Sequence, residues 1–243
     1  MSQTKVWAHR GASGYAPENT LEAFQLAVDM QVDGIELDVQ LSKDGELVVI
    51  HDETIDRVSN GKGRVKDYTL QELRNFNFNN GHSTYAFAAI PTLEEVYNLL
   101  GNTGAEINVE FKTGNIFYEG IEEKALKLAQ SMRIQNRIWY SSFNHYSAMH
   151  IKRLDSEAKV GLLYSDGFID VPEYGYKLGA EAIHPTMNNL KYPTLFEDCK
   201  KYKLNIHVWN IRDDDIKFCC EQGVNAVITN YPDRTKKLIY NNY

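Results

Sequence analysis

The chain has 243 residues, 43% of them hydrophobic and 24% charged, the composition of an ordinary globular domain. A formal net charge of -7 argues against nucleic acid as a main partner. No apolar run approaches the ~20 residues of a membrane span. The N-terminal stretch through Lys5 lacks the apolar core of a signal peptide. Cys199, Cys219 and Cys220 show neither ligand nor disulfide spacing, so they read as reduced thiols in a cytoplasmic protein without stable membrane insertion.

In chain order, Val6–Ala8 reads as a short apolar strand ending in His9-Arg10-Gly11. Asn19 or Thr20 caps a helix through Met30, with Leu21, Phe24, Leu26 and Val28 as its buried stripe. Gly34–Leu41 is the second strand, with Ile35, Leu37, Val39 and Leu41 on one face and Glu36, Asp38 and Gln40 on the other. Glu46–Ile50 completes a strand–turn–strand unit ending in His51-Asp52. Thr92 caps a helix through Leu100, with Glu94 and Glu95 well placed in its first turn. Glu106–Lys112 is the third strand. Helix 119–131, strand Ile138–Ser141, helix 145–154 and strand Val160–Leu163 follow. A weaker helix near 171–178 precedes strand Ala182–His184, helix 193–203 and strand Ile206–Trp209. Helix 213–222, strand Ala226–Thr229 and a final helix 232–241 close the chain.

Eight strands, most followed by a helix, predict one α/β domain over 1–243, closed as a (β/α)8 TIM barrel. An open doubly wound sheet is the runner-up, weakened because no GxGxxG follows the first strand. Residues 52–91 break the rhythm, being far longer than a usual barrel connection. They hold Asn60-Gly61-Lys62-Gly63, a helix-like Leu70–Arg74 and the aromatics Phe76, Phe78, Tyr85 and Phe87. This composition predicts a small inserted subdomain over the barrel mouth.

A closed barrel changes what the polar strand face means. Parallel barrel strands are covered by helices outside and filled by side chains inside, so Glu36 and Asp38 cannot simply face water. The third strand repeats the pattern, with Asn108, Glu110 and Lys112 opposite Ile107, Val109 and Phe111. Buried charge needs a partner or an ion. Glu36, Asp38 and Glu110 form an all-oxygen set of the kind that selects Mg²⁺, Ca²⁺ or Mn²⁺ over zinc or copper. Internal salt bridges to Arg10 and Lys112 are the competing account. His9 and His51 end strand units at the same mouth and can supply an acid and a base. Arg10 and Lys112 beside them favour a phosphoryl group. No Walker-type loop is present, which weighs against nucleotide triphosphate transfer.

These residues carry a resemblance. His9-Arg10-Gly11-Ala12, Pro17-Glu18-Asn19-Thr20, Glu36-Leu37-Asp38, Asp44-Gly45, His51-Asp52 and Pro91-Thr92-Leu93-Glu94-Glu95 together resemble the glycerophosphodiester phosphodiesterase family. Arg57, Asn60–Gly63, Thr69–Leu73, Glu110–Lys112, Ser141–Phe143, Trp209 and Thr229–Asp233 extend the match over essentially the whole chain. The resemblance implies a TIM barrel with an inserted subdomain. It also implies metal-dependent hydrolysis of small glycerophosphodiesters to glycerol 3-phosphate and an alcohol, through a cyclic phosphate. By that resemblance Glu36, Asp38 and Glu110 ligate the metal, His9 and His51 form the acid/base pair, and Arg10 and Lys112 bind phosphate. Glu18 holds the metal or the glycerol, and Trp209 is a wall for the glycerol or core filling.

The chain departs from the family pattern at two places. Asn210-Ile211-Arg212 stands where Thr-Val-Asn is usual, and Asn230 where Asp is often found. A lysophospholipase D-like hydrolase and a barrel that binds phosphodiesters without turnover are the alternatives. No proposed ligand or histidine is missing, which weighs against the silent binder. The sequence leaves the alcohol group, the metal and the oligomeric state, a homodimer included, open.

Overall fold

The structure, a computed structural model, describes residues 4–242, so the ends of the 1–243 domain span fall outside the described residues. Eight parallel strands form the barrel: β1 (Lys5–His9), β2 (Gly34–Leu41), β4 (Glu106–Phe111), β5 (Ile138–Ser142), β6 (Lys159–Tyr164), β7 (Ala182–Pro185), β8 (Asn205–Val208) and β9 (Ala226–Thr229). They pair in the order β1-β9-β8-β7-β6-β5-β4-β2, and the β1–β2 pairing closes the ring. A short β3 (Leu47–Val49) pairs antiparallel with the end of β2, from Val39 to Leu41. β1 reaches only as far as Glu36 on β2, so β3 takes the edge that β1 leaves free.

Helices α1 (Leu21–Asp29), α3 (Leu93–Leu100), α4 (Ile121–Ser131) and α5 (His145–Leu154) cover the first half of the ring. Helices α6 (Val171–Leu178), α7 (Leu195–Tyr202), α8 (Ile216–Glu221) and α9 (Pro232–Asn242) cover the second. Outward-facing Ile35, Leu37, Val39, Ile107 and Val109 pack under these helices in one apolar cluster with Phe24, Val96 and Ile121. Burying such side chains contributes roughly 1.5–3 kcal/mol each, which is why strand alternation fixes the register. Among the described residues no helix is long and apolar enough to cross a membrane. All three cysteines are unpaired.

Several boundaries differ from the sequence reading for local reasons. Thr20, not Asn19, caps α1 by accepting the Ala23 N–H. Helix α7 starts at Leu195 rather than 193 because Pro193 precedes a left-handed Thr194 at φ 69°. The stretch Asp213–Asp215 is a 3-10 turn, and α8 proper begins at Ile216. Trp209 lies past the end of β8, held by a single bridge to Thr186.

The segment between β3 and α3 folds around its own apolar cluster of Val48, Ile50, Ile55, Val58, Leu73 and Phe78. Its short helix α2 (Leu70–Leu73) carries a capping box from Thr69 and Glu72. Polar contacts tie it to the barrel: Lys43 N–H to the Tyr68 carbonyl at 2.8 Å, Leu70 N–H to Asp44 at 3.0 Å, and Arg74 to Glu95 at 2.6 Å.

Candidate active site

The site begins with a kink. Arg10 and Gly11, just past β1, have φ of 55° and 79°. Glycine suits this left-handed region, but for arginine it is strained, and such strain concentrates at functional sites. A Cβ on Gly11 would lie 2.6 Å from the Ala23 carbonyl carbon, so only glycine fits. The kink turns the Arg10 N–H onto Glu36 Oε2 at 2.9 Å. The Arg10 guanidinium donates to Glu18 at 2.8 Å and lies 3.4 Å from Asp38.

Register brings the carboxylates together. Glu36 pairs with Asn108 and Asp38 with Glu110 across β2 and β4. Glu36, Asp38 and Glu110 each place an oxygen within 4.8 Å of the others. All three are buried, at 3%, 0% and 8% exposure. Lys112 donates to Glu110 at 2.7 Å and lies 3.7 Å from Asp38, while Asn19 donates to Asp38 at 2.8 Å. Asp38 Oδ1 is buried without a hydrogen-bond partner. Burial and then the charges of Asp38 and Glu110 push the Glu36 carboxyl well up. Burial also pushes Asp38 up, but Arg10, Lys112 and His51 overcome it and hold that carboxyl low. Burial raises Glu110 as well, against the pull of Lys112.

The salt bridges to Arg10 and Lys112 thus exist, yet three carboxylates outnumber two cations. An orphaned carboxylate oxygen inside an all-oxygen set fits a hard divalent cation. A second acid–histidine cluster, Glu122, Glu123 and His150, lies on α4 and α5 outside the barrel.

The two histidines sit in different electrostatic settings. His9 Nδ1 lies 2.6 Å from the Asn230 side-chain oxygen, and Nε2 lies 3.9 Å from Glu36. An amide oxygen only accepts, so Nδ1 carries the proton and Nε2 the lone pair. Burial and then Arg10 bring the His9 pKa down to about 4. His51 instead donates Nδ1–H to Asp52 at 2.6 Å. Burial works upward on Asp52, but hydrogen bonds from Arg57 and His51 bring its pKa to about 2. Gln40, inward like Glu36 and Asp38, contacts the carbonyls of Ile50, His51 and Asp52 at 3.2, 3.0 and 2.6 Å and so anchors the His51 backbone.

His9, Arg10, Glu36, His51, Glu110 and Trp209 line one cavity of about 250 Å³ at the barrel mouth. Trp209 lines the cavity and also packs against the buried cluster of Trp7, Trp139 and Ile228; its indole N–H donates to the His184 carbonyl at 3.0 Å, and its ring meets Phe143 edge-on. Lys112 bonds Glu110 and is not among the residues lining the cavity. Both Glu18 oxygens are engaged, by Arg10 and Arg57. Arg212 and Asn230 also line the cavity, and the Arg212 side chain is 80% exposed.

Three features were not read from the sequence. Asn230 reaches His9 across 221 positions, and Arg57 bridges Asp52 and Glu18. Below the mouth, His184 and His207 pair at 2.9 Å. The pairing of Asp52 with His51 had a sequence signal, adjacency; the others had none.

Comparison with known proteins agrees with this geometry. The model of the glycerophosphoryl diester phosphodiesterase family matches residues 9–234. A glycerophosphodiester phosphodiesterase of Caldanaerobacter subterraneus subsp. tengcongensis is 41% identical, over 98% of both chains. One from Bacillus subtilis is 31% identical, over 95% of this chain and 85% of its own. An Oleispira antarctica phosphodiesterase, solved in complex with the product sn-glycerol-3-phosphate, superposes with a TM-score of 0.86 at 28% identity. That alignment covers 98% of this chain and 97% of the other. The chain belongs to the glycerophosphoryl diester phosphodiesterase family and is a phosphoric diester hydrolase.

Proposed function

We propose that the chain hydrolyses small glycerophosphodiesters to glycerol 3-phosphate and an alcohol, with a divalent cation held by Glu36, Asp38 and Glu110. The observation that carries this is one cavity lined by two histidines and by Glu36 and Glu110, whose carboxylates cluster with the buried Asp38. Mg²⁺, Ca²⁺ or Mn²⁺ suits the oxygen set, and when bound it supplies a Lewis acid for a phosphoryl oxygen. Arg10 holds the phosphate at the cavity wall, Lys112 adds positive charge from beside Glu110, and Trp209 gives the glycerol a flat apolar wall.

The glycerol hydroxyl beside the ester oxygen attacks phosphorus, the bond to the alcohol breaks, and a cyclic phosphate forms. Water then opens the ring. In the first step one histidine takes the hydroxyl proton and the other gives a proton to the departing alkoxide. His51 is assigned as base, because Asp52 orients it and stabilises the imidazolium it becomes. His9 is assigned as acid. The lowered His9 pKa favours a second assignment with the roles exchanged.

Substrates with different leaving groups separate the two. An aliphatic alkoxide needs protonation to leave; a nitrophenolate does not. His9→Ala should lose roughly 10²–10⁴-fold on glycerophosphocholine and far less on a glycerol nitrophenyl phosphodiester. His51→Ala should lose on both. Rescue in His51→Ala instead assigns the roles the other way, and losses under tenfold throughout would remove acid–base catalysis by this pair. Phe117, Phe168 and Ile169 stand 81%, 63% and 92% exposed on loops after β4 and β6. They favour a lysophospholipid as a second substrate class, checked by choline release from lysophosphatidylcholine.

A further inference from the structure

We propose that Arg57, carried by the inserted segment, is a positioning residue for His51, acting through Asp52. This rests on the acid–base reading of His51 given above. Arg57 presents two edges of one planar guanidinium to two carboxylates. Its Nε donates to Asp52 Oδ2 at 2.7 Å and its Nη2 to Asp52 Oδ1 at 3.1 Å. Its Nη1 and Nη2 donate to the two oxygens of Glu18, each at 2.8 Å. Such fork-to-carboxylate pairing fixes direction as well as distance, which a lysine cannot reproduce.

The two branches are not equivalent. Glu18 keeps a second partner, Arg10, if Arg57 is removed. The Asp52 carboxylate has no side-chain partner besides Arg57 and His51 among the described residues. Without Arg57 one face of that carboxylate is released, and the Asp52 that orients the His51 ring loses its own anchor. The His51 backbone stays anchored by Gln40, so the loss falls on the side chain. The inserted segment itself does not depend on Arg57 for its fold. It has its own apolar cluster and is tied down at Tyr68, Leu70 and Arg74. Arg57 is also 44% exposed, so its removal opens no core cavity. The inserted segment therefore completes the catalytic geometry although none of residues 52–91 lines the cavity.

The test is a double-mutant cycle on glycerophosphocholine in the metal-loaded enzyme. Arg57→Met should lower kcat about 10–100-fold, part of what a general base supplies, with KM within about threefold and the thermal midpoint little changed. Arg57→Lys should lie between Met and wild type, and it carries the test if the Met variant folds poorly. In the His51→Ala background Arg57→Met should cost less than about threefold, because the residue it positions is gone. An equal loss in both backgrounds overturns the proposal. So does a raised KM with unchanged kcat, which would place the effect on Glu18 and Arg10. Full activity in His51→Ala alone would overturn the acid–base reading itself, a result visible before Arg57 is touched.

Discussion

The barrel lumen handles buried polarity in two ways, one above the other. At the mouth, Glu36, Asp38 and Glu110 face Arg10 and Lys112, a crowded set in which charge is answered by charge. One layer down, Trp7 and Trp139 enclose His207, with ring centroids 4.4 and 4.6 Å away, and His207 bonds His184. Here burial keeps both imidazoles uncharged, bringing His184 to about 3 and His207 well below its usual range. Gly161 makes room for this pair: a Cβ there would lie 2.1 Å from His184 Nε2. The upper layer carries an excess of negative charge that a cation can relieve; the lower layer is kept uncharged.

Removing charge from the upper layer breaks the contrast most. Glu36→Gln or Asp38→Asn should cost about 10³-fold or more in activity, the several kcal/mol a bound divalent cation supplies to a phosphoryl oxygen. Stability without metal should hold or rise in Glu36→Gln, where a crowded carboxylate is neutralised, and fall in Asp38→Asn, which takes a counter-ion from Arg10 and Lys112. Thermal stabilisation by added Mg²⁺, Ca²⁺ or Mn²⁺ should vanish in the same variants. Full activity in EDTA would sink this account.

The lower layer is tested by pH. A histidine kept neutral in the fold but free to titrate near 6.5 when unfolded contributes stability that is complete above that pH and declines below it, toward about pH 3 for His184. Between pH 7 and pH 5 the loss is about 2 kcal/mol per histidine. Replacing both His184 and His207 by Gln should flatten that part of the stability–pH curve from urea unfolding. An unchanged slope would show that the pair does not titrate on unfolding.

The smallest change lies at the boundary, on His9. Asn230 offers an amide oxygen where a carboxylate would support the imidazolium. Asn230→Asp should raise the His9 pKa and increase kcat on glycerophosphocholine by up to roughly 5–30-fold, the ~1–2 kcal/mol difference between neutral and charge-assisted hydrogen bonds. If His9 is the base, the same change should leave the nitrophenyl substrate improved equally.

How much of this was legible beforehand follows from what each feature depends on. Alternation along Gly34–Leu41 and Glu106–Phe111 set which side chains face inward, and register did the rest. Barrel order and the carboxylate cluster were therefore readable. The Asn230–His9 and Arg57–Glu18 contacts join loops whose meeting depends on the closed ring and on how the inserted segment lies. No local periodicity encodes them. The His184–His207 pair was hidden differently: both sit within short apolar strands, and only an inward view of β7 and β8 separates them from their neighbours. The ends of α7 and α8 moved because a left-handed Thr194 and a tight Asp213–Asp215 turn delay the helices.

The closure of the ring has a consequence for the order of events as the chain is made. β1 pairs with β2 on one side and with β9 on the other, and β9 begins at Ala226. Until the last strand emerges, β1 has only one neighbour, and the lumen stands open to water along that seam. The carboxylates of β2 and β4 then remain hydrated, and their mutual repulsion is weak in a high dielectric. The full cost of crowding them arrives only with the final strand, after most of the apolar shell is already in place to offset it. The charged centre thus sits on early strands, while the seam that encloses it needs the last one.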